Sequence, residues 1–169
     1  MLDSTTIQEI LNIGKKNLEL DGKLYPILFF RLQTGEQLYT ALKLPDGADM
    51  RRLYITGLGF SLLKDGKVLE EAVMLTEGWV VAVNKKADYL AVAPSQHPQR
   101  KEAIIMIGRD AAKSRQFLLI QPFTRGSKNE PLWEKVEGIM PDDDPKASEL
   151  CYQGLLDFLF VRERVKQVA

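Results

Sequence analysis

The fold is decided by three stretches: VLEEAVMLTEGWVVAV at residues 68–83, AIIMI at 103–107 and QFLLI at 116–120. They are rich in branched and apolar residues that favour extended backbone. Polar residues 108–114 separate the last two stretches, which predicts an antiparallel hairpin with a longer loop. A glycine inside a strand pattern often marks a bulge, so residues 68–83 are predicted to form one long strand kinked at Gly78.

A second hairpin is predicted before these strands. Residues 24–32 and 37–42 have the same extended character, and the sequence QTGE between them is typical of a turn. Pro26 has no backbone N–H to donate to a sheet. The first strand is therefore expected to begin at an edge or with a local irregularity.

The first helix is predicted at residues 4–20, where apolar side chains recur at helical spacing. The pairs Thr5–Gln8 and Thr6–Glu9 both match the capping-box pattern. The helix is expected to end at the aspartate and glycine that follow.

The second helix is predicted at residues 48–64. It is indicated by a periodic series of apolar residues: Met50, Leu53, Tyr54, Leu58 and Leu62. Gly57 and Gly59 lie inside this helix, and each costs about 1 kcal/mol relative to alanine. These glycines indicate either close packing against a neighbour or a weak last turn, and close packing is the favoured explanation.

A third helix is predicted to begin at Asp144, with Pro145 in its first turn. Its expected buried face comprises Ala147, Leu150, Cys151, Leu155, Phe158 and Leu159. Residues 123–141, which precede it, are predicted to be irregular and attached to the core by Trp133. Together the elements predict one α+β domain spanning residues 1–169, with a single central antiparallel sheet of about five or six strands and three main helices.

Composition excludes several classes of function. Hydrophobic residues make up 45% of the 169 residues and charged residues 27%, as in ordinary soluble domains. Lys+Arg and Asp+Glu both number 23, so no net positive field attracts nucleic acid or anionic lipid. One cysteine allows neither an intrachain disulfide nor a cysteine-rich zinc site, and no apolar run approaches the ~18 residues of a membrane span. We expect a cytoplasmic protein with no membrane partner and no nucleic-acid partner.

Signature motifs of the common enzyme classes are missing from the sequence. The glycines at residues 57–59 and 65–67 match neither the Walker pattern nor the dinucleotide fingerprint, because neither segment follows a strand and opens a helix. The sequence also contains no G-x-S-x-G elbow and no H-E-x-x-H pair. We predict no cofactor and no metal.

The densest group of reactive side chains lies in the sequence PSQHPQRKE at residues 94–102, which contains the only histidine. If strand 68–83 pairs with the strand that begins at Ala103, acidic and aromatic side chains of the first strand lie beside this imidazole and guanidinium. The candidate catalytic residues are His97, Glu77 and Glu102, and the candidate ligand-binding residues are Arg100, Trp79 and Ser95.

Two interpretations of this group are open. In the catalytic one, His97 transfers a proton, a glutamate orients it and Arg100 binds an anion. In the structural one, the two prolines stiffen a connecting loop, Arg100 pairs with a carboxylate and His97 supplies a hydrogen bond that fixes the loop. The structural interpretation is favoured, because the group lacks a nucleophile or a second metal ligand.

Two further candidates have simple structural explanations. Cys151 acts as a nucleophile only if a base such as His97 reaches it, and its place on the apolar face of the third helix favours core packing instead. The acidic residues 142–144 lack the glycine and the spaced ligands of a calcium loop. Capping of the third helix accounts for them.

Two segments resemble a known pattern: MLTEGWVV at residues 74–81 and PSQHPQRKE at residues 94–102. An acidic residue and a tryptophan followed by PS-x-HP-x-R-x-E is similar to small uncharacterised bacterial and phage proteins. The resemblance covers the middle third of the chain and implies no activity. The order of elements also resembles roadblock and profilin-like architectures, whose helices pack on the faces of a central antiparallel sheet and which often serve in dimerisation or scaffolding.

The sequence favours a non-enzymatic protein-binding or assembly module, including a homodimer joined through a sheet edge or a helix. The alternative is an enzyme that acts on an anionic small molecule or a nucleotide component through His97, Arg100 and a nearby glutamate. The enzyme hypothesis requires Glu77, His97 and Arg100 to converge on one solvent-accessible cleft.

Overall fold

The computed structural model describes residues 2–81, 94–112, 115–139 and 155–161, which contain two α-helices and seven strands. In chain order the elements are α1 (Ser4–Asp21), β1 (Ile27–Leu32), β2 (Gln37–Ala41), α2 (Ala48–Lys64), β3 (Leu69–Val80), β4 (Lys101–Asp110), β5 (Gln116–Arg125), β6 (Pro131–Trp133) and β7 (Glu137–Ile139). Two short 3-10 turns, at Pro94–Gln96 and Leu156–Phe158, complete the described structure.

All seven strands form one antiparallel sheet in the order β2-β1-β3-β4-β5-β6, with β7 pairing with β5 beside β6. The predicted α+β class and single antiparallel sheet are confirmed. Residues 123–141 were predicted to be irregular, and this was wrong for β6 and β7. Both are three-residue strands, too short for an alternating pattern to show in the sequence.

The described residues contain two α-helices rather than the predicted three. The third predicted helix, which was expected to begin at Asp144, falls mainly on residues 144–154, outside the described residues, and these include Ala147, Leu150 and Cys151 of its expected buried face. The described end of that segment forms the 3-10 turn Leu156–Phe158. There Leu159 is buried, as its apolar spacing indicated.

Strand β3 runs without the kink predicted at Gly78. Its pairing with β4 is continuous through this residue, which lies opposite Ala103. A Cβ at Gly78 would lie 2.9 Å from Cδ1 of Ile105, so the glycine makes room for a neighbouring side chain rather than for a bulge. A register shift does occur in β1, between Arg31 and Leu32.

The start of α1 differs from the predicted capping box. Asp3 is the N-cap, and its carboxylate accepts hydrogen bonds from the backbone N–H and the hydroxyl of Thr6. Gly22 ends the helix in the left-handed conformation, with φ of 70°, and donates its N–H to Leu18 O. Neither Thr5 nor Thr6 is the N-cap, because the helix begins at Ser4, two or three positions earlier than a cap at those residues requires.

The sheet is covered on both faces. Helix α1 contributes to an apolar cluster on one face, with buried residues Ile7, Ile10, Leu11, Leu18, Val73, Leu75, Ile104, Met106, Phe117, Leu119 and Phe123. Helix α2 and the 155–161 segment contribute to a cluster on the other face, with buried residues Leu28, Phe30, Ile55, Leu62, Met74, Ile105, Ile107, Leu156, Leu159 and Phe160. Because side chains alternate along each strand, odd-numbered residues of β3 and even-numbered residues of β4 point to the α1 face.

Trp133 attaches the end of the described sheet to α1, as the sequence predicted. Its indole N–H donates to Glu19 Oε1 at 2.9 Å, and its ring packs edge-on against Phe123. The Lys15 ammonium lies 5.0 Å from the ring centroid. Burial at this contact lowers the pKa of Lys15, and the charge of Glu19 partly offsets that effect.

Candidate functional site

The pairing of β3 with β4 brings the two candidate segments side by side. Trp79 lies directly opposite Glu102. Opposed residues of an antiparallel pair share a face, so both side chains lie on the α1 face of the sheet. Glu77 lies two residues before Trp79 and on the same face. The predicted antiparallel pairing of these segments is confirmed.

An arginine that the sequence analysis did not single out holds both candidate glutamates. Arg125 Nη2 lies 3.1 Å from Glu77 Oε1, and Arg125 Nε lies 3.0 Å from Glu102 Oε2. All three side chains are between 20% and 23% exposed. The guanidinium also lies 4.9 Å from the ring centroid of Phe123. We call Arg125, Glu77 and Glu102 the Arg125 cluster, in which one cation compensates two carboxylates.

The position of Arg125 follows from the β4–β5 register. Glu102 lies opposite Phe123, and Arg125 is two residues further along β5 on the same face. Alternation in the sequence places Phe117, Leu119, Phe123 and Arg125 on one face of β5. The hairpin loop leaves the register open, so this alternation alone could not match Arg125 to Glu102.

The second oxygen of Glu77 has a separate structural role. Glu77 Oε2 accepts a hydrogen bond from the backbone N–H of Leu24 at 2.9 Å. This contact joins the connection between α1 and β1 to the middle of the sheet. Both oxygens of Glu77 are therefore engaged, one by a guanidinium and one by a backbone donor.

Trp79 and Arg100 form a stacked pair. The guanidinium carbon of Arg100 lies 4.7 Å from the Trp79 ring centroid, and Arg100 Nη1 donates to the carbonyl of Ser95 at 2.8 Å. Arg100 is exposed and has no carboxylate partner among the described residues. The structural interpretation expected such a carboxylate, and the described contacts place a tryptophan and a backbone carbonyl there instead.

The hydrogen bonding described for the His97 side chain is local. Nδ1 accepts a hydrogen bond from the backbone N–H of Gln99 at 3.1 Å, and the His97 carbonyl accepts one from Arg100 N at 3.2 Å. Within the described part of the chain, no hydrogen bond joins the imidazole to Glu77 or Glu102. The contacts are those expected of a residue that fixes a turn.

Two clefts border the α2 side of the sheet. One, of about 330 Å³, is lined partly by Arg51, Met74 and Thr76, and it also borders Glu77 and Trp79, whose side chains lie on the α1 face. His97 and Arg100 are not among its described lining residues. The other, of about 290 Å³, lies between the end of α2 and residues 159–161, and the described residues that line it include none of the candidates. In the described structure, Glu77, His97 and Arg100 do not line a common cleft.

Two remaining candidates lie outside the described residues: Cys151 and the acidic residues 142–144. Among the described residues, no three His, Cys, Asp or Glu side chains are placed to bind a metal ion.

A second arginine of the sheet is buried on the α2 face. Arg109 is 3% exposed, and its guanidinium donates to the carboxylate of Asp157 and to the carbonyls of Asp110 and Ala111. It lies 4.3 Å from the ring centroid of Phe160. These contacts, which we call the Arg109 anchor, fasten residues 155–161 to the sheet. The sequence offers little sign of them, because Arg109 was predicted to lie in the loop at residues 108–114, whereas β4 extends to Asp110.

A third charged group lies at the same end of the sheet on the α1 face. The carboxylate of Glu71 is fully buried and pairs with Arg31 and Arg115. Arg31 also contacts Glu70 at 2.9 Å. Such pairs stabilise only when desolvation is compensated, and here two partly exposed cations compensate one buried carboxylate.

Helix α2 presents apolar residues on both of its faces. Its buried face is formed by Ile55, Gly59 and Leu62. A second set of large apolar side chains is between 41% and 65% exposed: Met50, Leu53, Tyr54 and Phe60. We call these four residues together with Gly57 the α2 stripe. The periodic series predicted from the sequence combines part of this stripe with Leu58 and Leu62, because apolar residues on both faces obscure the helical period.

The two glycines of α2 have different surroundings. A Cβ at Gly59 would collide with the carbonyl oxygen of Leu159, so this glycine permits close packing, as predicted. A Cβ at Gly57 would have no described heavy atom within 4 Å. For Gly57 the prediction of close packing is therefore not met by any described residue of the chain.

Comparison with family models, curated proteins and solved structures finds no match for this chain. The resemblances to small bacterial and phage proteins and to roadblock and profilin-like architectures remain predictions. No helix in the described ranges is long and apolar enough to cross a membrane.

Proposed function

We propose that this chain is a non-enzymatic protein-binding module whose contact surface is the α2 stripe. The observation that carries the proposal is the exposure of four large apolar side chains on one face of a helix whose other face is already buried. Single exposed apolar residues are ordinary, but a contiguous set on one helix is typical of an interaction surface.

The α2 stripe is not needed to hold the helix on the sheet. Ile55 and Leu62 are buried in the apolar cluster between α2 and the sheet, and Gly59 packs closely against Leu159. Exposed apolar side chains on the opposite face add nothing to these contacts. A partner that covers them removes apolar surface from water at about 25 cal/mol per Å², which is a driving force for association.

The enzyme alternative receives less support from the described contacts. Glu77 and Glu102 are both paired with Arg125, and the His97 side chain bonds to its own turn. A proton-transfer pair needs hydrogen-bond reach between acid and base. The feature that favours the alternative is the exposed guanidinium of Arg100, which lies on Trp79 and is placed to meet an anion.

Other expectations support a protein partner over other classes. The formal net charge of zero offers no field for nucleic acid. The single cysteine suits a cytoplasmic location. The layering of helices on an antiparallel sheet resembles roadblock and profilin-like dimerisation modules, which agrees with an assembly role by analogy.

Site-specific photo-cross-linking in the source cell tests the proposal. A photoreactive amino acid is placed at Phe60 or, as a matched control, at Leu132, which is similarly exposed on β6. We expect protein adducts at Phe60 and few or none at Leu132. Equal adduct yields at both positions, or none at Phe60, would show that the α2 stripe is not a contact surface.

A further inference from the structure

The α2 stripe is narrow and centred on Gly57. At 100° per residue, the stripe residues and the polar pair Ser61 and Lys64 fall within about 120° of helix arc, with Gly57 near the middle. The helix has 17 residues and is about 25 Å long. The stripe therefore runs along most of one side of α2, with its smallest residue at its centre.

Gly57 has no explanation within the described part of the chain. Its φ lies outside the left-handed region that requires glycine, and a Cβ would meet nothing described within 4 Å. Glycine in a helix interior is unfavourable by comparison with alanine. Where another helix crosses, however, the missing side chain lets two backbones approach closely. Gly57 is thus suited to a helix crossing at the centre of the stripe.

The charges of α2 match those of a second, antiparallel copy. Asp49 lies in the first turn and Lys64 in the last. Two copies that cross antiparallel at Gly57 bring Asp49 of one close to Lys64 of the other, and they place Tyr54 opposite Phe60. A parallel arrangement would bring like charges together. Antiparallel packing also aligns the helix dipoles favourably.

We propose that the α2 stripe binds the same stripe of a second copy of this chain, with the two helices antiparallel and the two Gly57 residues at the crossing. The symmetry is that of an isologous dimer, in which one surface is complementary to itself. This inference rests on the proposed function and names the partner of the same surface. A single pair of helices this long buries less area than a standard interface, so we expect a dissociation constant on the order of 1–100 µM.

Sedimentation velocity over roughly 1–500 µM protein tests the dimer, a range set by the expected affinity. The wild type is expected to pass from monomer to dimer. Phe60→Ser and Leu53→Ser should each weaken association about tenfold or more. Leu132→Ser, which removes an exposed leucine elsewhere, should leave it unchanged. A wild type that stays monomeric throughout overturns the proposed partner.

Gly57→Leu separates the crossing from a general loss of fold. Leucine has the higher helix propensity and, by the open space at this position, should keep or raise the melting temperature. In the dimer its side chain would stand between the two backbones and should weaken association about a hundredfold. If Gly57→Leu dimerises as tightly as the wild type, the crossing at Gly57 is wrong.

A charge exchange tests the antiparallel arrangement. Asp49→Lys and Lys64→Asp should each weaken the dimer several-fold, because each places like charges together. The double variant should recover most of the wild-type affinity. Absence of recovery contradicts the antiparallel arrangement.

The sedimentation and cross-linking experiments together distinguish failure of the dimer from failure of the proposed function. If the wild type is monomeric but adducts still form at Phe60 with a different protein, the dimer is wrong and the proposed function stands. If the wild type is monomeric and no adducts form at Phe60, both the dimer and the proposed function are wrong.

Discussion

Two arginines of the sheet, Arg109 and Arg125, have similar contacts in different surroundings. Each stands at a strand end, each holds carboxylate oxygens, and each lies over a phenylalanine ring. Arg109 is buried on the α2 face, whereas Arg125 is about one-fifth exposed on the α1 face. The Arg109 anchor contains none of the described candidate residues, and the Arg125 cluster contains two of them, Glu77 and Glu102.

The comparison shows why a group of reactive residue types is weak evidence for catalysis. Glu77 and Glu102 each bind to the planar guanidinium of Arg125, just as Asp157 binds to the guanidinium of Arg109. In both places the donor groups of the arginine fix the position of the carboxylate. The Arg109 side chain is 4% exposed and that of Arg125 is 20% exposed, whereas their carboxylate partners are similarly exposed, between 22% and 26%. The difference therefore lies in the burial of the cation itself. Removing each arginine should therefore have effects of different size.

Arg109→Met should produce the largest loss of stability. The substitution removes hydrogen bonds to Asp157 and to two backbone carbonyls in a buried site, and it leaves these acceptors without the cation. Breaking a buried pair of this kind costs about 3 kcal/mol or more, which lowers the melting temperature by roughly 6–12 °C for a chain of this length. Chemical and thermal denaturation measure the loss.

Arg109→Lys serves as the control for this first prediction. It keeps the charge and loses the planar fork, so its loss should be smaller than that of Arg109→Met. If Arg109→Met lowers the free energy of unfolding by less than about 1 kcal/mol, the expectation that the Arg109 anchor stabilises the fold more than the Arg125 cluster does is wrong.

Arg125→Met should have an intermediate effect, about 1 kcal/mol. Water can reach Glu77 and Glu102, and Glu77 keeps its hydrogen bond from Leu24 N. The same denaturation experiment, run beside Arg109→Met, gives the ratio of the two losses. Equal losses of stability in the two variants would show that the Arg125 cluster contributes as much to the stability of the fold as the Arg109 anchor does. No loss at all would show that pairing with Arg125 does not stabilise the fold and would strengthen the enzyme alternative.

The sheet and the two described helices follow from local pattern in the sequence. Strands β3, β4 and β5 are long apolar runs, and the antiparallel pairing of β4 with β5 follows from the hairpin loop between them. The bounds of α2 are marked by Gly47 before it and by Gly66 after it. The short strands β6 and β7 were missed because their pairing with β5, rather than their own residues, makes them strands.

For the candidate site, the sequence predicted which segments lie side by side but not which side chains contact each other. Pairing of β3 with β4 could be expected, and it brings Trp79 to Glu102. The role of Arg125 depends on the register of a hairpin whose loop does not fix it. The exposure of Met50 and Phe60 also depends on tertiary packing, because a helix with apolar residues on both sides does not reveal which side faces the sheet.

His97→Ala and Arg100→Ala should each change stability by less than about 1 kcal/mol. The imidazole bonds to an adjacent backbone N–H, and the guanidinium is exposed over Trp79. Denaturation measures both variants. Neither should alter the sedimentation of the protein, since neither residue belongs to the α2 stripe. If either variant abolishes a turnover of an anionic or nucleotide substrate while its melting temperature is kept, the enzyme alternative replaces the binding function.

The smallest effect is expected at Asp3, which extends the comparison to a carboxylate that is fully exposed. The backbone N–H of Thr6, followed by its hydroxyl, holds the pKa of Asp3 below its ordinary value near 3.8. Because the folded-state pKa is the lower one, the stabilisation is present above the unfolded-state pKa and is lost as the pH falls through the folded-state value.

Asp3→Asn keeps an oxygen acceptor at the N-cap but does not titrate. The wild type should therefore melt ~1–2 °C above Asp3→Asn near neutral pH, and this difference should shrink as the pH falls below about 4. A difference that stays constant across this range would show that the charge of Asp3 contributes nothing to the start of α1.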